Sequence, residues 1–396
     1  MCRRHLIVTG GNGYIGERLV EQALAEGWSV TLLGRRPGPA GTGHVPWILG
    51  EPFPSAASDP FLSGATQVLV HLAHDWRAGK DLNVRGTERL FASAQAAGVV
   101  RRIFISSQSA RDGALNQYGR MKYAVEQRIP DATSLRVGLV YGGPRSAMYG
   151  LLCRLTRLPI LPMVDPHRTV QPIHLDEVVQ GVLAAADGRA HGVMALACPE
   201  PVPFGMVLKT LALGFGGRDL PILPIPLRFA LFLCDLSASV PLLPTVDRER
   251  VLGLAGTQPI ESASDLAQLG VEIRPMAERL AAEPAGRRAL LAEGRAFLRY
   301  VGIQPGSTLL RRYARALPEG AMVRTRMPLR LVEPLNGRSE LGRRLRIASR
   351  IAEASLAGEI MLARGSRIGR IARLAAALTA DAATLPTRLL AAVLAR

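Results

Sequence analysis

The chain has 396 residues, 48% of them hydrophobic and 5% aromatic, with a formal net charge of +17. That length allows two or three domains around a large core, and the composition is that of a globular protein rather than a disordered one. No uninterrupted run of about 20 apolar residues occurs; the nearest stretch, 221–244, is broken by Arg228, Asp235 and five prolines.

Only three lysines are present (Lys80, Lys122 and Lys209), so 46 of the 49 basic residues are arginine. This points to a composition bias as much as to a selected surface. The basic balance favours acidic partners such as nucleotides, anionic lipid head groups or nucleic acid. The four cysteines (Cys2, Cys153, Cys198 and Cys234) are widely spaced, with no C-x-x-C and no zinc-like cluster, so no metal is expected and a reduced, cytoplasmic setting is. The first strand starts so close to Met1 that no cleaved signal peptide is expected.

The chain opens on Leu6-Ile7-Val8-Thr9, a short apolar run of strand character. It leads through a glycine-rich turn into a helical pattern over 17–25. Gly10, Gly13 and Gly16 lie at G-x-x-G-x-x-G spacing, enclosing Tyr14 and Ile15. The first glycine allows a tight turn. The second lets the backbone approach a pyrophosphate at the helix N-terminus, and the third lets helix and strand pack closely. A ligand-free glycine turn would look similar, but strand, turn and helix in this order favour dinucleotide binding.

A second strand, 29–33, ends in Gly34-Arg35-Arg36. An acid near this point would bind the adenosine ribose hydroxyls, whereas arginine suits a 2′-phosphate. The acid is missing, so NADP is favoured and NAD stays open; Arg35 and Arg36 could also be ordinary solvated charges. Residues 37–64, rich in Pro, Gly and Ser, read as a loop. Further strands are expected at 67–73, 100–107 and 134–141, and helices at 81–98 and around 118–122. Strands alternating with helices imply an α/β fold with a parallel, doubly wound sheet.

Several segments carry a resemblance. They are Thr9 to Gly16, His71-Leu72-Ala73, Asn83-Val84-Arg85-Gly86-Thr87, Phe104-Ile105-Ser106-Ser107, Tyr118-x-x-x-Lys122, Arg136 to Gly142, and Gln171 to Val178. In this order over residues 6 to about 185, the chain resembles the extended or atypical branch of the short-chain dehydrogenase/reductase superfamily, the NAD-dependent epimerase/dehydratase group. The resemblance implies a Rossmann fold. It places Gly10, Gly13, Tyr14, Ile15, Gly16, Arg35, Arg36, Leu72, Ala73, Asn83, Tyr118, Lys122 and Tyr141 against the cofactor. It also implies a catalytic set of Ser107, Tyr118 and Lys122, with Ser106 or Ser109 as other hydroxyl choices.

Tyr118 and Lys122, four apart, share a helix face. An ammonium beside a phenol favours the phenolate, so the tyrosine pKa is expected to fall. A chance Y-x-x-x-K on a surface helix is the bland alternative. Asn83 could instead cap a helix, Asp176 is expected to cap another, and His74 to pack at the cofactor edge. Ser107 and Tyr118 lie only 11 residues apart, closer than in typical sugar-nucleotide members, as in the atypical branch.

The domains expected are 1–145 for NAD(P) binding, 146–275 for substrate, and 276–396 as a basic helical extension. Apolar runs at 148–164 and 221–243 read as core, or as a pocket for a lipidic substrate or a membrane contact. Arg154 and Arg157 could meet a diphosphate. Residues 301–396 hold 17 arginines against six acidic residues, compatible with a helical cap, an oligomer contact or a surface anchor. Tail aromatics are too few for base stacking, so no nucleic-acid partner is expected.

The function expected is an NAD(P)-dependent oxidoreductase or epimerase/dehydratase acting on a secondary alcohol or ketone of a sugar nucleotide or hydrophobic molecule. A homodimer and a peripheral contact with the inner membrane surface stay open. The alternative is a non-catalytic NAD(P)-binding module that stabilises a membrane-associated assembly.

Overall fold

A computed structural model describes residues 4–57, 66–156, 158, 160–216, 220–239 and 247–282. Arg157, and all of the basic extension beyond residue 282, lie outside the described residues. The chain divides into two units, Met1–Leu208 with Pro221–Arg279, and Lys209–Leu220 with Leu280–Arg396. The first holds the sheet and everything discussed below.

It begins with β1 (Arg4–Thr9), α1 (Tyr14–Ala25), β2 (Ser29–Gly34), β3 (Gly43–Pro46), β4 (Thr66–His71), α2 (Lys80–Ala96), β5 (Arg101–Ser107), α3 (Gln117–Glu126) and β6 (Thr133–Val137). It continues with β7 (Leu139–Tyr141), α4 (Ala147–Leu155), β8 (Leu161–Met163), β9 (Thr169–Val170), β10 (Pro172–His174), α5 (Leu175–Ala184), β11 (Val193–Leu196) and β12 (Val202–Pro203). After α6 (Phe204–Gly216) come β13 (Ile222–Pro224), α7 (Leu227–Ser239), α8 (Arg248–Ala255), α9 (Ala263–Leu269) and α10 (Met276–Ala282).

The main sheet has seven parallel strands in the order β11-β6-β5-β4-β1-β2-β3. This is the Rossmann arrangement expected. Because strand side chains alternate between faces, β1 sends Leu6 and Val8 to one side and Ile7 to the other. The first side packs on Leu19, Val20 and Ala23 of α1 and on Val178, Val179 and Val182 of α5. The second packs on Leu90, Phe91 and Ala94 of α2 and on Met121 and Val125 of α3. Helices on both faces explain why these strands read as near-continuous apolar runs.

Three expectations change. The loop expected at 37–64 contains β3, which pairs with β2 from Thr31↔Gly43 to Gly34↔Pro46; a four-residue edge strand among glycines and prolines carries too little periodicity to be read. The strand expected at 134–141 breaks at Gly138, where a Cβ would run into the Gln171 carbonyl and Ala197. Its first part stays in the main sheet and β7 pairs with β10 instead. Finally, α5 is capped by His174, whose Nδ1 accepts from the Asp176 N–H while Glu177 returns to the His174 N–H. Asp176, two residues past the cap, pairs with Arg18 at 2.7 Å.

Candidate active site

The glycine turn is built around Gly10, whose φ of +71° only glycine adopts freely. A Cβ there would also approach the Ala73 nitrogen to 2.8 Å. The turn therefore lies directly against the end of β4, and the Leu72 N–H donates to the Thr9 carbonyl at 3.1 Å. Gly16 packs its Cα side onto the Gly10 carbonyl and Gly11 backbone, leaving no room for a side chain. Gly13 caps α1 with extended backbone and is exposed. The result is a glycine cradle at a helix N-terminus, which suits a pyrophosphate. Tyr14 and Ile15 are half-buried: Ile15 packs on the core, while the Tyr14 hydroxyl donates to the Gly142 carbonyl at 2.6 Å.

Beneath the cradle a buried polar relay joins β1, β4 and α2. Thr87 Oγ1 donates to the Asn83 carbonyl at 2.7 Å, so it must accept from His71 Nε2 at 3.1 Å. His71 Nδ1 then accepts from Thr9 Oγ1 at 2.7 Å, and Thr9 in turn accepts from the Ala73 N–H at 3.3 Å. The chain of donors fixes a neutral, Nε2-protonated imidazole. Burial first, then the Lys122 and His74 charges, pushes His71 down to about 3.

Asn83 is buried, and its amide organises the loop before α2. Oδ1 accepts from the Asp75 N–H at 3.1 Å, while Nδ2 reaches the Asp75 and Gly79 carbonyls at 3.0 and 3.3 Å. The cap of α2 is Gly79, not Asn83. This loop carries His74 and Trp76. Trp76 is 74% exposed and stacks on Tyr118, with ring centroids 5.3 Å apart and planes 18° apart. His74 meets both rings edge-on, at 4.3 and 5.3 Å. Burial first, with help from Lys122, pushes His74 down to about 4.

Tyr118 and Lys122 lie on one face of α3. Lys122 is buried, donates to the Ile105 carbonyl at 2.7 Å, and lies 4.4 Å over the Phe104 ring and 5.6 Å from the Tyr118 ring. Burial pushes Lys122 down to about 7, opposed by Glu126. The expectation of a lowered tyrosine pKa is corrected here. Burial pushes the Tyr118 phenol up to about 12, because desolvation outweighs an ammonium held at the ring face rather than at the hydroxyl.

Strand alternation separates the candidate serines. Ser106 is buried and donates to Glu126 at 2.5 Å, and Glu126 holds Arg136 through two oxygens. Ser107, half-buried, shares a hydrogen bond with Ser109, their oxygens 3.0 Å apart. Ser107 and Ser109 thus stand at the sheet end and Ser106 does not. Tyr141 is buried, its ring edge-on to His174 at 5.3 Å.

Arg35 and Arg36 are exposed just past β2. Asn12 ties this segment to the glycine turn by donating to the Arg36 carbonyl at 3.1 Å. The Asp75 carboxyl is held below its usual range, first by the Arg77 N–H and in smaller part by the Arg35 charge. That places Arg35 within electrostatic reach of the loop over Tyr118.

Beyond the sheet lies an apolar cavity of about 280 Å³, lined among others by Leu155, Leu161, Met163, Phe204, Leu208 and Leu254. The charged groups in its wall, Arg168 and Asp165, pair with each other at 3.3 Å. Helix α8 connects this cavity to the tyrosine. Val251, Leu254 and Ala255 line the cavity, while Glu249 on the same helix accepts from the Gln117 N–H at 2.6 Å, one residue before Tyr118.

Residues 10–133 match the protein-family model described as NAD(P)H-binding. A short-chain dehydrogenase/reductase superfamily protein from Agrobacterium tumefaciens, solved with bound NAD, shares the fold with a TM-score of 0.50 and 21% identity, over 70% of this chain and 94% of that one. The chain has the Rossmann fold of that protein. Its cofactor is NAD(P), and the cradle of Gly10, Gly13 and Gly16 fits that group.

Among other solved structures with this fold, a UDP-glucose 4-epimerase from Thermotoga maritima, solved with UDP-glucose, has a TM-score of 0.51 at 17% identity, over 70% of this chain and 96% of that one. Among curated relatives, a ceramide reductase of Caulobacter vibrioides is 28% identical over 211 residues, 49% of this chain and 65% of that protein. The match thus spans just under two thirds of that relative's length.

Reading the chain from its motifs alone overlooked Trp76, because a lone tryptophan in a loop carries no periodic signal. It also overlooked the hydrogen-bonding part of His71. That histidine sits at the end of an apolar strand beside Thr9 only through the register Thr9↔His71, which spacing along the chain does not reveal.

Proposed function

We propose that this protein is an NADP-dependent reductase of a ketone, or oxidoreductase of the matching secondary alcohol, on a molecule with a long apolar part. The observation that carries this reading is the apolar cavity joined through α8 to the start of the Tyr118 helix. A sugar nucleotide would require several polar groups in that wall. Among the described residues, its only charged lining groups, Arg168 and Asp165, form an ion pair at 3.3 Å in which the buried Arg168 Nε makes no hydrogen bond.

Bound NADPH supplies the hydride. The rest falls to this chain. Ser107 and Ser109 hold the substrate oxygen by hydrogen bonding. Tyr118, neutral at physiological pH, donates its phenolic proton to the oxygen that becomes the alcohol. Lys122, four residues on, lies at the face of the Tyr118 ring, and from there its positive charge offsets part of the cost of forming the phenolate in a dry site. Arg35 and Arg36 meet the adenosine 2′-phosphate, for which their planar donors are suited. Trp76 and His74 cover Tyr118 and keep water away. The cavity takes the apolar chain, each buried methylene adding about 0.8 kcal/mol.

The ceramide reductase relative is in keeping with a lipidic substrate. The test is NADPH oxidation by the purified full chain with a homologous series of ketones. kcat/KM should rise with acyl length and then level off when the cavity is full. A flat series, or turnover of a UDP-sugar alone, would overturn the assignment.

A further inference from the structure

Helix α7 is apolar on two opposite sides. Ala230 and Cys234, one turn apart, line the cavity. Phe229 and Phe232 lie away from that stripe, stacked on each other with centroids 6.3 Å apart and planes at 27°. They are 48% and 57% exposed. A helix whose inner side is core should be polar outside, and no contact among the described residues accounts for two adjacent exposed phenylalanines.

The strand pair that leads into α7 carries further exposed apolar residues. β13 runs into α7 with the Ile225 N–H bonded to the Met163 carbonyl, and β13 pairs with β8. At this corner Leu223 and Ile160 are each 54% exposed. The cations nearby along the chain are Arg228, exposed immediately before Phe229, and Arg154, exposed in the last turn of α4. Arg248 is already paired with Asp235 of α7 at 3.3 Å.

We infer that this face of α7 docks on an anionic lipid bilayer, with Phe229 and Phe232 at head-group depth and Arg228 on the phosphates. Aromatic rings favour that depth, arginine matches phosphate oxygens, and a protein of net charge +17 is drawn to an anionic surface. The same charge disfavours a second copy of the chain as the occupant, since Arg228 would meet Arg228 across a twofold contact. No helix among the described residues is long and apolar enough to cross a membrane, so the contact is one of lying on the surface. α7 then separates bilayer from cavity by a single helix, and an apolar substrate passes between them without entering water. This last step rests on the apolar-substrate reading; the docking does not.

The experiment is sedimentation of the full chain with vesicles of phosphatidylglycerol and phosphatidylcholine. The Phe229→Ser/Phe232→Ser double variant is run beside it, with NADPH binding and melting temperature as checks of folding. The double variant should lose about tenfold or more in partitioning, given the area two phenylalanines bury. A second variant, Phe232→Trp, should show emission blue-shifted by vesicles and quenched by brominated acyl chains. This reads insertion at α7, separately from adsorption by the basic residues beyond 282. Absent vesicle binding, unchanged binding by the double variant, or no quenching at position 232 would overturn the docking. So would a dimer dissolved by the double variant. Vesicle binding without reduction of any long-chain ketone would keep the docking and remove the substrate reading; the reverse pattern would do the opposite.

Discussion

Trp76 stacks on Tyr118, ring over ring at 5.3 Å. The pair joins the loop after β4 to the first turn of α3, with the indole exposed and the tyrosine half-buried. Trp76→Ala should therefore let water reach the phenol and lower its pKa from about 12 towards 10. Ultraviolet difference titration against Tyr118→Phe measures that shift. An unchanged titration would mean that α3, and not the indole, keeps the phenol dry.

Tyr118→Phe keeps the ring and its stack but removes the proton donor. Turnover should fall by about two to four orders of magnitude, the usual range for losing a general acid. NADPH affinity should stay within about twofold, because the phenylalanine keeps the ring that packs at the site. Steady-state rates and a fluorescence titration separate the two effects.

Under the proposed function, Lys122 should give reduction its pH dependence. With its pKa pushed down to about 7, the ammonium is present below that pH and lost above it. The phenol stays protonated throughout this range. Reduction should therefore decline as pH rises through about 7, and the Lys122→Met variant should be slow at every pH with no inflection there. A wild-type profile flat from pH 6 to 9 would refute the role.

Arg35→Ala/Arg36→Ala should weaken NADPH about 10- to 100-fold, since hydrogen bonds to charged groups contribute roughly 1.5–3 kcal/mol. NADH affinity should hardly change. Equal losses for both cofactors would show that the pair acts on the fold of the β2 turn and not on a 2′-phosphate.

His71 links stability to acid. Its folded pKa of about 3 lies below the ordinary 6.5, so the unfolded chain takes up the proton first. The contribution of His71 is complete above about pH 6.5 and is lost progressively as pH falls towards 3. Thermal melts from pH 7.5 to 4 should show a shallower decline for His71→Gln than for wild type. Parallel curves would exclude the buried neutral imidazole.

Much of this molecule is legible along the chain. Gly10, Gly13 and Gly16 mark a dinucleotide turn because only glycine satisfies both the positive φ at Gly10 and the close backbone contact with Ala73. The alternation of apolar runs with helical patterns determines the parallel sheet, because each strand must be covered on both faces. Arg35-Arg36 and the i, i+4 pair Tyr118 and Lys122 are likewise visible, since turns and helices bring near neighbours together by fixed geometry. What only the tertiary structure decided involves residues far apart in sequence. Trp76 reaches Tyr118 across 42 positions, Thr9 reaches His71 across 62, and α8 joins the cavity to α3. The sign of the Tyr118 shift was decided there as well, since desolvation depends on everything packed around a group and the sequence records only the cation four residues away.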